Sequence, residues 1–547
     1  MSWVLAMFRK STGQTSFLDV ETFFPDALPE NDWSFIYRDH VLALIDEEKF
    51  RHLFAEKGGA PTKPIRTTVS VLLFMGMETL TWRAAEMMFP RRLDWLIATG
   101  TEIGKASIDH TTLYKFYLRL EADETARQVF VEITEKFMEL CGTSKRKQRT
   151  DSFFIHGWLK ILSRYGLFRE TIRVFLTDLK KTEEDKFEGI AGRLSKEYVE
   201  KDFDLTEKER EKAQKRTVEM AGDMYVLIRE FEKEETVREM ESFGTLREVF
   251  GQQCEVVETE EDLEKVQIRE KPEGEKIINS PHNTEAEYTK KGKQEVRGHK
   301  GFISETCGEE NATQFITDVN ATGSREADSQ ELEPIQERLE EGGMKPEEQY
   351  GDGGFVNGKT IVESKEKGID LEGPSAGRSQ SIEGYESEGR PLDTADFEVE
   401  VTVEKEELWV EECPGGQVPI GQGRSGKTGK VNVHFDAEVC RSCELRARCP
   451  VKIGKKVATL VIDEAGHAGA MRHQRYMTEQ GYRKQCAIRA GVEGTVNELA
   501  NTHGMRKARH RGLGRIRLQI IFAALGCNVK RFIRHRQKYG NLAVEGA

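Results

Sequence analysis

The chain has 547 residues, 37% of them hydrophobic, and a formal net charge of −13. This length exceeds what one hydrophobic core accommodates and predicts at least two domains. The nine cysteines are too few and too unevenly spread for a secreted disulfide framework. No segment reaches the roughly 18 apolar residues of a membrane span, and no signal-peptide pattern opens the chain, so we expect a cytoplasmic protein with no membrane partner.

The first 145 residues predict a helical domain. The segment IDHTTLYKFYLRL places Leu113, Phe116 and Leu120 at helical spacing, with Asp109 as a candidate N-cap. No metal-binding or nucleophilic constellation occurs in this part. A DNA-binding or assembly domain and a purely structural helical bundle therefore both remain open.

After residue 145 the pattern changes to short strands that alternate with helices. Asp151 precedes an apolar run in RTDSFFIHG, and Asp352 stands at the end of a strand in QYGDGGF. Strand-like segments between them are followed by a helix for which Asp328 is a candidate cap. This order predicts a mixed α/β sheet.

Residues 180–274 differ from the segments on either side. They are highly charged and helical, with few β-branched residues. We interpret them as an inserted, solvated helical region, whose simplest role is that of an inert spacer.

Cysteines cluster after an acidic linker, in the pattern C-x26-C-x2-C-x5-C. A Cys-x-x-Cys pair presents two thiolates on one tight turn, and tetrahedral Zn²⁺ needs four ligands. In an intracellular protein such a set favours a metal site over disulfides, although unmetallated thiols in a loop-rich insert are the alternative. The candidate Zn²⁺ ligands are Cys413, Cys440, Cys443 and Cys449.

Residues 421–428, GQGRSGKT, match the phosphate-binding loop of ATPases, and TLVIDE downstream imitates the strand that holds Mg²⁺. That loop needs a helix directly after Lys-Thr, so that helix amides can bind phosphate. Here Val431, Val433 and Phe435 alternate instead, which predicts a strand. A P-loop ATPase is therefore the least favoured of the functions considered.

Positive charge is concentrated near the end of this acidic chain. Residues 471–540 contain 12 Arg and 4 Lys against 3 Glu. A whole-chain average hides such a region. Guanidinium groups suit phosphate oxygens, so we expect the densest part, MRKARHRGLGRIR, to bind nucleic acid. The candidate contacts in it are Arg506, Lys507, Arg509, Arg511, Arg515 and Arg517.

Ahead of this basic segment, Gln485, Arg489, Glu493 and Asn497 follow one another at steps of four along a predicted helix. Arg489 could hold the Glu493 carboxylate or contact a phosphate. An ordinary surface ion pair is the simpler interpretation of an isolated Arg-x-x-x-Glu.

Four long segments carry a family resemblance. INSPHNTEAEYTKKGKQEVRGHKGFISETC, followed by EEQYGDGGFVNGKTIVESKEKGIDLEGP, resembles the core of bacterial insertion-sequence DDE transposases. IRTTVSVLLFMGMETLTWRAAEMM resembles the N-terminal domain of that family, and IRAGVEGTVNELANTHGMRKARHRGLGRIRLQ its Glu-bearing helix. The cysteine-rich segment is similar to an insert in one branch of the family. The likeness covers nearly the whole chain except the charged insertion.

The resemblance implies a ribonuclease H-like catalytic fold and a metal-dependent DNA transposase. It assigns Asp151, Asp352 and Glu493 as the catalytic acids that bind Mg²⁺ or Mn²⁺, and Arg489 as a DNA contact. The expected partners are double-stranded DNA, as element ends and target, and a second copy of the chain or more in a nucleoid-associated complex. The expected units are an N-terminal helical domain (1–145), three parts of the catalytic core (146–179, 275–375 and 458–547), the charged insertion (180–274), and an acidic linker with the cysteine-rich insert (376–457).

Related elements often carry a Tyr three residues before this Arg and a Lys seven residues after the Glu. Here those positions are Cys486 and Ala500, while Tyr482 and Lys484 lie out of step. A catalytically inactive, transposase-derived DNA-binding protein is therefore the alternative hypothesis.

Overall fold

The computed structural model describes residues 7–8, 20–55, 61–157, 163–190, 192–200, 210–258, 264–291, 294–376, 390–402 and 407–540. Parts of the expected acidic linker, 377–389 and 403–406, lie outside these ranges. Within them the chain is a mixed α/β protein. No described helix is long and apolar enough to cross a bilayer.

Helices and strands alternate along the chain after an all-helical start. The helices are α1 (Val20–Phe23), α2 (Trp33–Ile36), α3 (Ile65–Glu78), α4 (Trp82–Met88), α5 (Leu93–Thr99), α6 (His110–Glu121), α7 (Thr125–Cys141), α8 (Arg164–Thr182), α9 (Glu184–Glu188), α10 (Gly192–Ser195), α11 (Arg210–Phe231), α12 (Glu235–Arg238), α13 (Glu241–Gln253), α14 (Asp328–Glu341), α15 (Gly358–Glu366), α16 (Ala437–Ser442), α17 (Glu464–Thr478), α18 (Gln480–Cys486), α19 (Val492–Asn497) and α20 (Leu513–Tyr539). The strands are β1 (Lys147–His156), β2 (Cys254–Glu258), β3 (Glu264–Ile268), β4 (Glu287–Lys291), β5 (Gln294–Thr306), β6 (Ile316–Gly323), β7 (Glu348–Tyr350), β8 (Asp370–Glu372), β9 (Glu398–Thr402), β10 (Glu407–Glu412), β11 (Gly421–Arg424), β12 (Val431–Asp436), β13 (Lys452–Ile453) and β14 (Val457–Ile462).

A mixed sheet of six strands forms the centre. Strand β1 pairs antiparallel with β5 on one side and parallel with β7 on the other, and β8 continues the parallel edge. The long strand β5 pairs antiparallel with β4 near its start and with β6 further along. The expected strands around Asp151 and before Asp352 are both confirmed.

Helices cover both faces of this sheet. Gln349 accepts a hydrogen bond from Gln336 of α14, whereas Tyr350 accepts one from Gln485 of α18. Consecutive strand residues point to opposite faces. Helices α14 and α18 therefore lie on opposite sides of β7.

The N-terminal helices share one hydrophobic core with the sheet and with α20. Helices α3 and α20 approach closely where both carry glycine. A Cβ on Gly76 would lie 2.9 Å from the Phe522 carbonyl oxygen, and one on Gly526 would lie 3.0 Å from Met77 Cγ. The Asp109 N-cap is confirmed, since its carboxylate accepts a 2.7 Å hydrogen bond from the Thr111 amide.

The charged insertion encloses a second core of its own, which runs from Leu167 to Ile278. Helix α8 contributes Leu167, Phe168 and Phe175 to it, so this unit begins before the expected residue 180. The charged residues cover a packed interior. The expectation of a solvated region was therefore wrong, whereas the role of a spacer stays a prediction.

A third core lies within residues 397–462, between the hairpin β9–β10 and the sheet β11–β12–β14–β13. The phosphate-loop lookalike forms β11 and the turn into β12. The element that follows Lys427 and Thr428 in the described chain is strand β12, not a helix. This segment therefore lacks the helix N-terminus that a P-loop requires.

Candidate active site

Two of the three expected catalytic acids leave neighbouring strands at the same level. Arg149 of β1 is the register partner of Tyr350 of β7. Asp151 lies two residues beyond Arg149, and Asp352 two residues beyond Tyr350. Because the strands are parallel, Asp151 and Asp352 lie at the same level of the sheet, where β7 ends beside the middle of β1.

The Asp151 carboxyl has an unusual environment. Its side chain is only 16% exposed. Burial raises its pKa to about 6, and the negative charges of Asp352 and Asp328 add to that rise. The Ser152 amide, which donates to Oδ1 at 2.8 Å, opposes it. Three acids thus lie near one another in a partly buried region, and carboxylates grouped in this way are ligands for a hard cation.

Arg489 joins the third expected acid to this group. Its Nη1 lies 3.3 Å from Asp151 Oδ2, and its Nη2 lies 3.6 Å from Glu493 Oε1. The Glu493 side chain is 69% exposed. The surface ion pair between Arg489 and Glu493 is therefore present, and the same guanidinium also reaches Asp151.

The acids are not packed as closely as a metal requires. For the described part of the chain, the carboxylate oxygens of Asp151, Asp352 and Glu493 do not all lie within 4.8 Å of one another. Arg489 occupies the space between Asp151 and Glu493, where it partly neutralises both.

A buried carboxylate holds the Glu493 helix on the sheet. Glu305 of β5 is fully buried, and its oxygens lie 2.7 Å from Arg149 Nη2 and 3.0 Å from Arg531 Nη1. The Thr495 hydroxyl, on α19, donates to Glu305 Oε2 at 2.6 Å. Arg149 also donates to the Ile488 carbonyl at 2.8 Å, just before Arg489. Glu305 and Arg149 therefore fix the segment with Arg489 and Glu493 against β1, a role that the sequence pattern did not indicate.

Asp328 is a fourth acid near the site. Helix α14 begins at Asp328 and its N-cap is Ala327, so the expected cap role was wrong. The carboxylate instead lies 3.1 Å from Lys300 Nζ. A Cβ on Gly354 would be 2.7 Å from Asp328 Oδ2 and 2.9 Å from Asp352 Oδ1, so both acids converge on one stretch of backbone. The only signal for this in the sequence was an acid at a helix start, which is common at such positions.

The basic segment is fixed to the strand that carries Asp151. The Ala508 amide donates to the His156 carbonyl at 2.8 Å, and the His156 amide donates to the Arg506 carbonyl at 2.9 Å. Residues 506–508 thus pair alongside His156, the last residue of β1.

The six expected DNA-binding cations divide into two groups. In the part of the chain described, four are exposed and form no ion pair: Arg506, Lys507, Arg511 and Arg517. The other two face the N-terminal helices. Arg515 Nε lies 2.8 Å from Glu121 Oε2, and Arg509 Nη1 donates to the Leu80 carbonyl at 3.0 Å.

All four cysteines of the expected zinc site are free thiols around one small cavity of about 20 Å³. The Gln417 amide donates to Cys413 Sγ at 3.3 Å, and its side chain to Cys440 Sγ at 3.6 Å. Burial raises the pKa of Cys440 and Cys449, and neighbouring thiols contribute. No three of the sulfurs, all of which the structure describes, lie within 4.8 Å of one another. The donor set fits Zn²⁺ in kind, with the sulfurs further apart than in a closed site.

Elsewhere in the described chain, two groups of side chains do bring three possible metal ligands within 4.8 Å of one another. Glu498, His503 and Cys527 form one of them. Arg531 and Arg534 already bind the Glu498 carboxylate at 3.0 and 3.7 Å, so the local charge opposes a cation. The second group consists of Glu86, Asp109 and His110, where the carboxylate of Asp109 is used as a helix cap.

Family models match two segments of the chain. Residues 412–533 match a transposase DDE domain, and residues 26–119 match a transposase domain, DUF772. The first match includes the cysteine cluster, Arg489 and Glu493, whereas Asp151 and Asp352 lie outside both. No curated protein and no solved structure matches the chain. The two transposase matches confirm the resemblance to insertion-sequence DDE transposases.

Proposed function

We propose that the protein binds the ends of its own mobile element, cleaves DNA there with Mg²⁺ or Mn²⁺, and joins the 3′ hydroxyl to target DNA. The observation that carries the proposal is the placement of Asp151 and Asp352 at one level of adjacent parallel strands. Glu493 is linked to Asp151 through Arg489. Carboxylates are the ligands that a divalent-metal phosphodiester site uses, and a bound metal would draw these three closer together.

The sheet order supports a ribonuclease H-like core. Three antiparallel strands, β6, β5 and β1, are followed by the parallel strands β7 and β8. Helices α14 and α18 cover opposite faces, and the acids leave from the centre of the sheet.

Asp151, Asp352 and Glu493 would hold the catalytic metal. Bound there, the metal would activate the attacking hydroxyl and stabilise the leaving oxygen. Ligation needs the ionised carboxylate, and because burial raises the pKa of Asp151 to about 6, metal binding would weaken as the pH falls below that value. Arg489 would release both acids and become free to bind a phosphate oxygen, as its planar fork permits. Lys300 would keep Asp328 beside Asp352.

The exposed cations Arg506, Lys507, Arg511 and Arg517 would bind the DNA backbone beyond the end of β1. Such contacts add affinity without reading sequence, and they weaken as salt rises. A transposition reaction joins two element ends, so we propose a complex of at least two protomers that acts at the nucleoid.

Zinc would have a structural role away from the acids. Cys413, Cys440, Cys443 and Cys449 would bind one Zn²⁺ and tie the end of β10 to the segment around α16. Four thiolates around one ion form a closed site with no position for substrate.

The deciding experiment compares cleavage of labelled terminal DNA by wild type, Asp352→Asn and Asp370→Asn in Mg²⁺. Asp370 stands on the next strand, 59% exposed, and pairs with Arg472 at 3.3 Å. We expect Asp352→Asn to abolish cleavage and Asp370→Asn to retain it. Equal cleavage by all three proteins would contradict the proposed site.

The alternative is a catalytically inactive DNA-binding protein. Two departures from the usual accessory residues, Cys486 and Ala500, favour it. In that case wild type would bind terminal DNA but leave it uncut in both Mg²⁺ and Mn²⁺.

A further inference from the structure

A large aromatic cavity lies between the N-terminal helices and residues 503–523, apart from the catalytic acids. Its volume is about 920 Å³. Helices α3, α4 and α6 supply one side, and the basic segment with the start of α20 supplies the other. The aromatic residues that line it are Trp82, Tyr114, Tyr117, His510 and Phe522.

The rings of this wall form one connected cluster. The Trp82 ring centroid lies 5.6 Å from that of Tyr114 and 5.3 Å from that of Tyr117. Tyr117 in turn lies 5.1 Å from His510. Trp82 and Tyr114 are only half-buried, so part of this aromatic surface is available to a ligand.

Positive charge accompanies the rings. Arg509 lines the cavity half-buried, and within the described ranges its guanidinium forms no ion pair. Arg83 lies exposed in the same wall. The cavity therefore combines an aromatic stacking surface with positive charge.

The cavity is also connected, through the backbone of the basic segment, to β1, the strand that carries Asp151. Residues 506–508 pair with His156 at the end of β1, and Arg509 and His510 follow directly. His156 lies five residues after Asp151, or about 16 Å along a strand. That length corresponds to about five base steps at roughly 3.4 Å each.

We propose that this cavity binds an unpaired nucleotide of the DNA, with its base against Trp82 and Tyr114 and its phosphate on Arg509. The inference rests on the proposed function, which supplies DNA as the ligand. Aromatic side chains stack on any base, and Arg neutralises the backbone, which is the chemistry of single-strand binding sites. Bases inside a duplex are covered on both faces by their neighbours, so they cannot present a ring face to the cavity.

The test measures anisotropy of a labelled 12-nucleotide oligo-dT and of a 20-base-pair blunt duplex with the full chain. The variants are Trp82→Leu, Tyr114→Leu and Arg509→Gln. The control is Trp409→Leu, whose residue stands 47% exposed on β10, a strand that contributes Leu408 and Val410 to the third core. Leucine keeps apolar bulk while it removes the stacking ring.

We expect Trp82→Leu and Tyr114→Leu to bind the single strand at least about fivefold more weakly, because each removes a ring on which a base stacks. Arg509→Gln should weaken it by a similar factor, because it removes the phosphate contact. Duplex binding should change less than about twofold, and Trp409→Leu should alter neither. Oligo-dT should quench the fluorescence of wild type more than that of Trp82→Leu. Equal losses for both DNAs, or no loss for the single strand, would overturn the proposal.

Two further measurements keep the outcomes distinct. Cleavage of terminal DNA by wild type tests the proposed function alone, so its failure with Trp82-dependent oligo-dT binding intact would leave the cavity assignment standing. Sedimentation of Trp82→Leu tests a second copy of the chain as the occupant. Dissociation of an oligomer by this change, without loss of oligo-dT binding, would overturn the assignment to DNA.

Discussion

Glu305 is the residue whose replacement tests how the helix that carries Glu493 is held on the sheet. Its carboxylate is fully buried between Arg149 and Arg531, whose side chains are each 13% exposed. Glu305→Gln keeps the size of the side chain but leaves two guanidinium groups facing a neutral amide. Breaking a buried pair in this way costs about 3–5 kcal/mol. We expect a loss of that order in the free energy of unfolding of the unit that contains the sheet and α20.

Activity should fall as well, because Thr495 and the Arg149–Ile488 contact lose their common anchor. A displacement of about 1 Å in a catalytic group can cost about 10²-fold in rate. The assay is single-turnover cleavage of labelled terminal DNA, with thermal melting followed by circular dichroism. Thr495→Val, which keeps all charges and removes one hydrogen bond, should give an intermediate loss in both measurements.

The matched control is Glu498→Gln. Glu498 also binds Arg531, at 3.0 Å, but is 21% exposed and makes no contact with Arg149. Its replacement should cost less stability and little activity. If Glu305→Gln melts at a lower temperature but cleaves at the wild-type rate, the positioning role is refuted; unchanged melting would refute the estimate of stability.

Asp151→Asn should abolish cleavage yet stabilise the metal-free protein. Burial raises the pKa of Asp151 in the folded protein to about 6, above the unfolded value of roughly 4. The free energy of unfolding of wild type therefore falls as the pH rises from about 4 through 6, by at most about 3 kcal/mol. Melting in EDTA from pH 4 to 8 should show that the advantage of the variant grows and then levels off above about pH 6. Cys443→Ser should lower the zinc content per chain measured by plasma mass spectrometry, whereas Cys486→Ser, outside the cluster, should leave it unchanged. Arg511→Gln should reduce the slope of log affinity against log salt by about one, while Arg515→Gln should keep the slope and lower the melting temperature, because Arg515 binds Glu121.

Features set by a few neighbouring residues were predictable from the sequence. The apolar run after Asp151 predicted β1, and the short polar side chain of Asp109 predicted a helix start. The alternation of Val431, Val433 and Phe435 predicted the strand that excludes a phosphate-binding loop. Each of these inferences depends on a period or a cap that is local in the chain.

The contacts that complete the site could not be found in this way. Glu305 lies 156 residues from Arg149 and 226 from Arg531 along the chain, and no pattern in between relates them. Asp328 resembled an ordinary capping acid until Lys300 and Gly354 placed it beside Asp352. Arg509 and Arg515 look like their exposed neighbours, and only packing against the N-terminal helices distinguishes them.

The charged insertion shows a related limit of prediction from the sequence. Its charged residues dominate the composition, while Phe168, Phe175 and Phe243 form a buried interior at helical spacing. The composition therefore predicted a solvated region, whereas the periodicity of the large residues is typical of a buried core.

Helix α20 has a consequence for the order of folding during synthesis. It is the last described helix, and it fills the core between α3 and the sheet. A ribosome adds about 5–20 residues per second, so the N-terminal helices wait tens of seconds for the partner that covers their apolar surface. The insertion closes its own core and is independent of that delay. The emerging polypeptide is thus most exposed to chaperones at its beginning, and a premature stop before Leu513 removes the interior of the first domain as well as the tail.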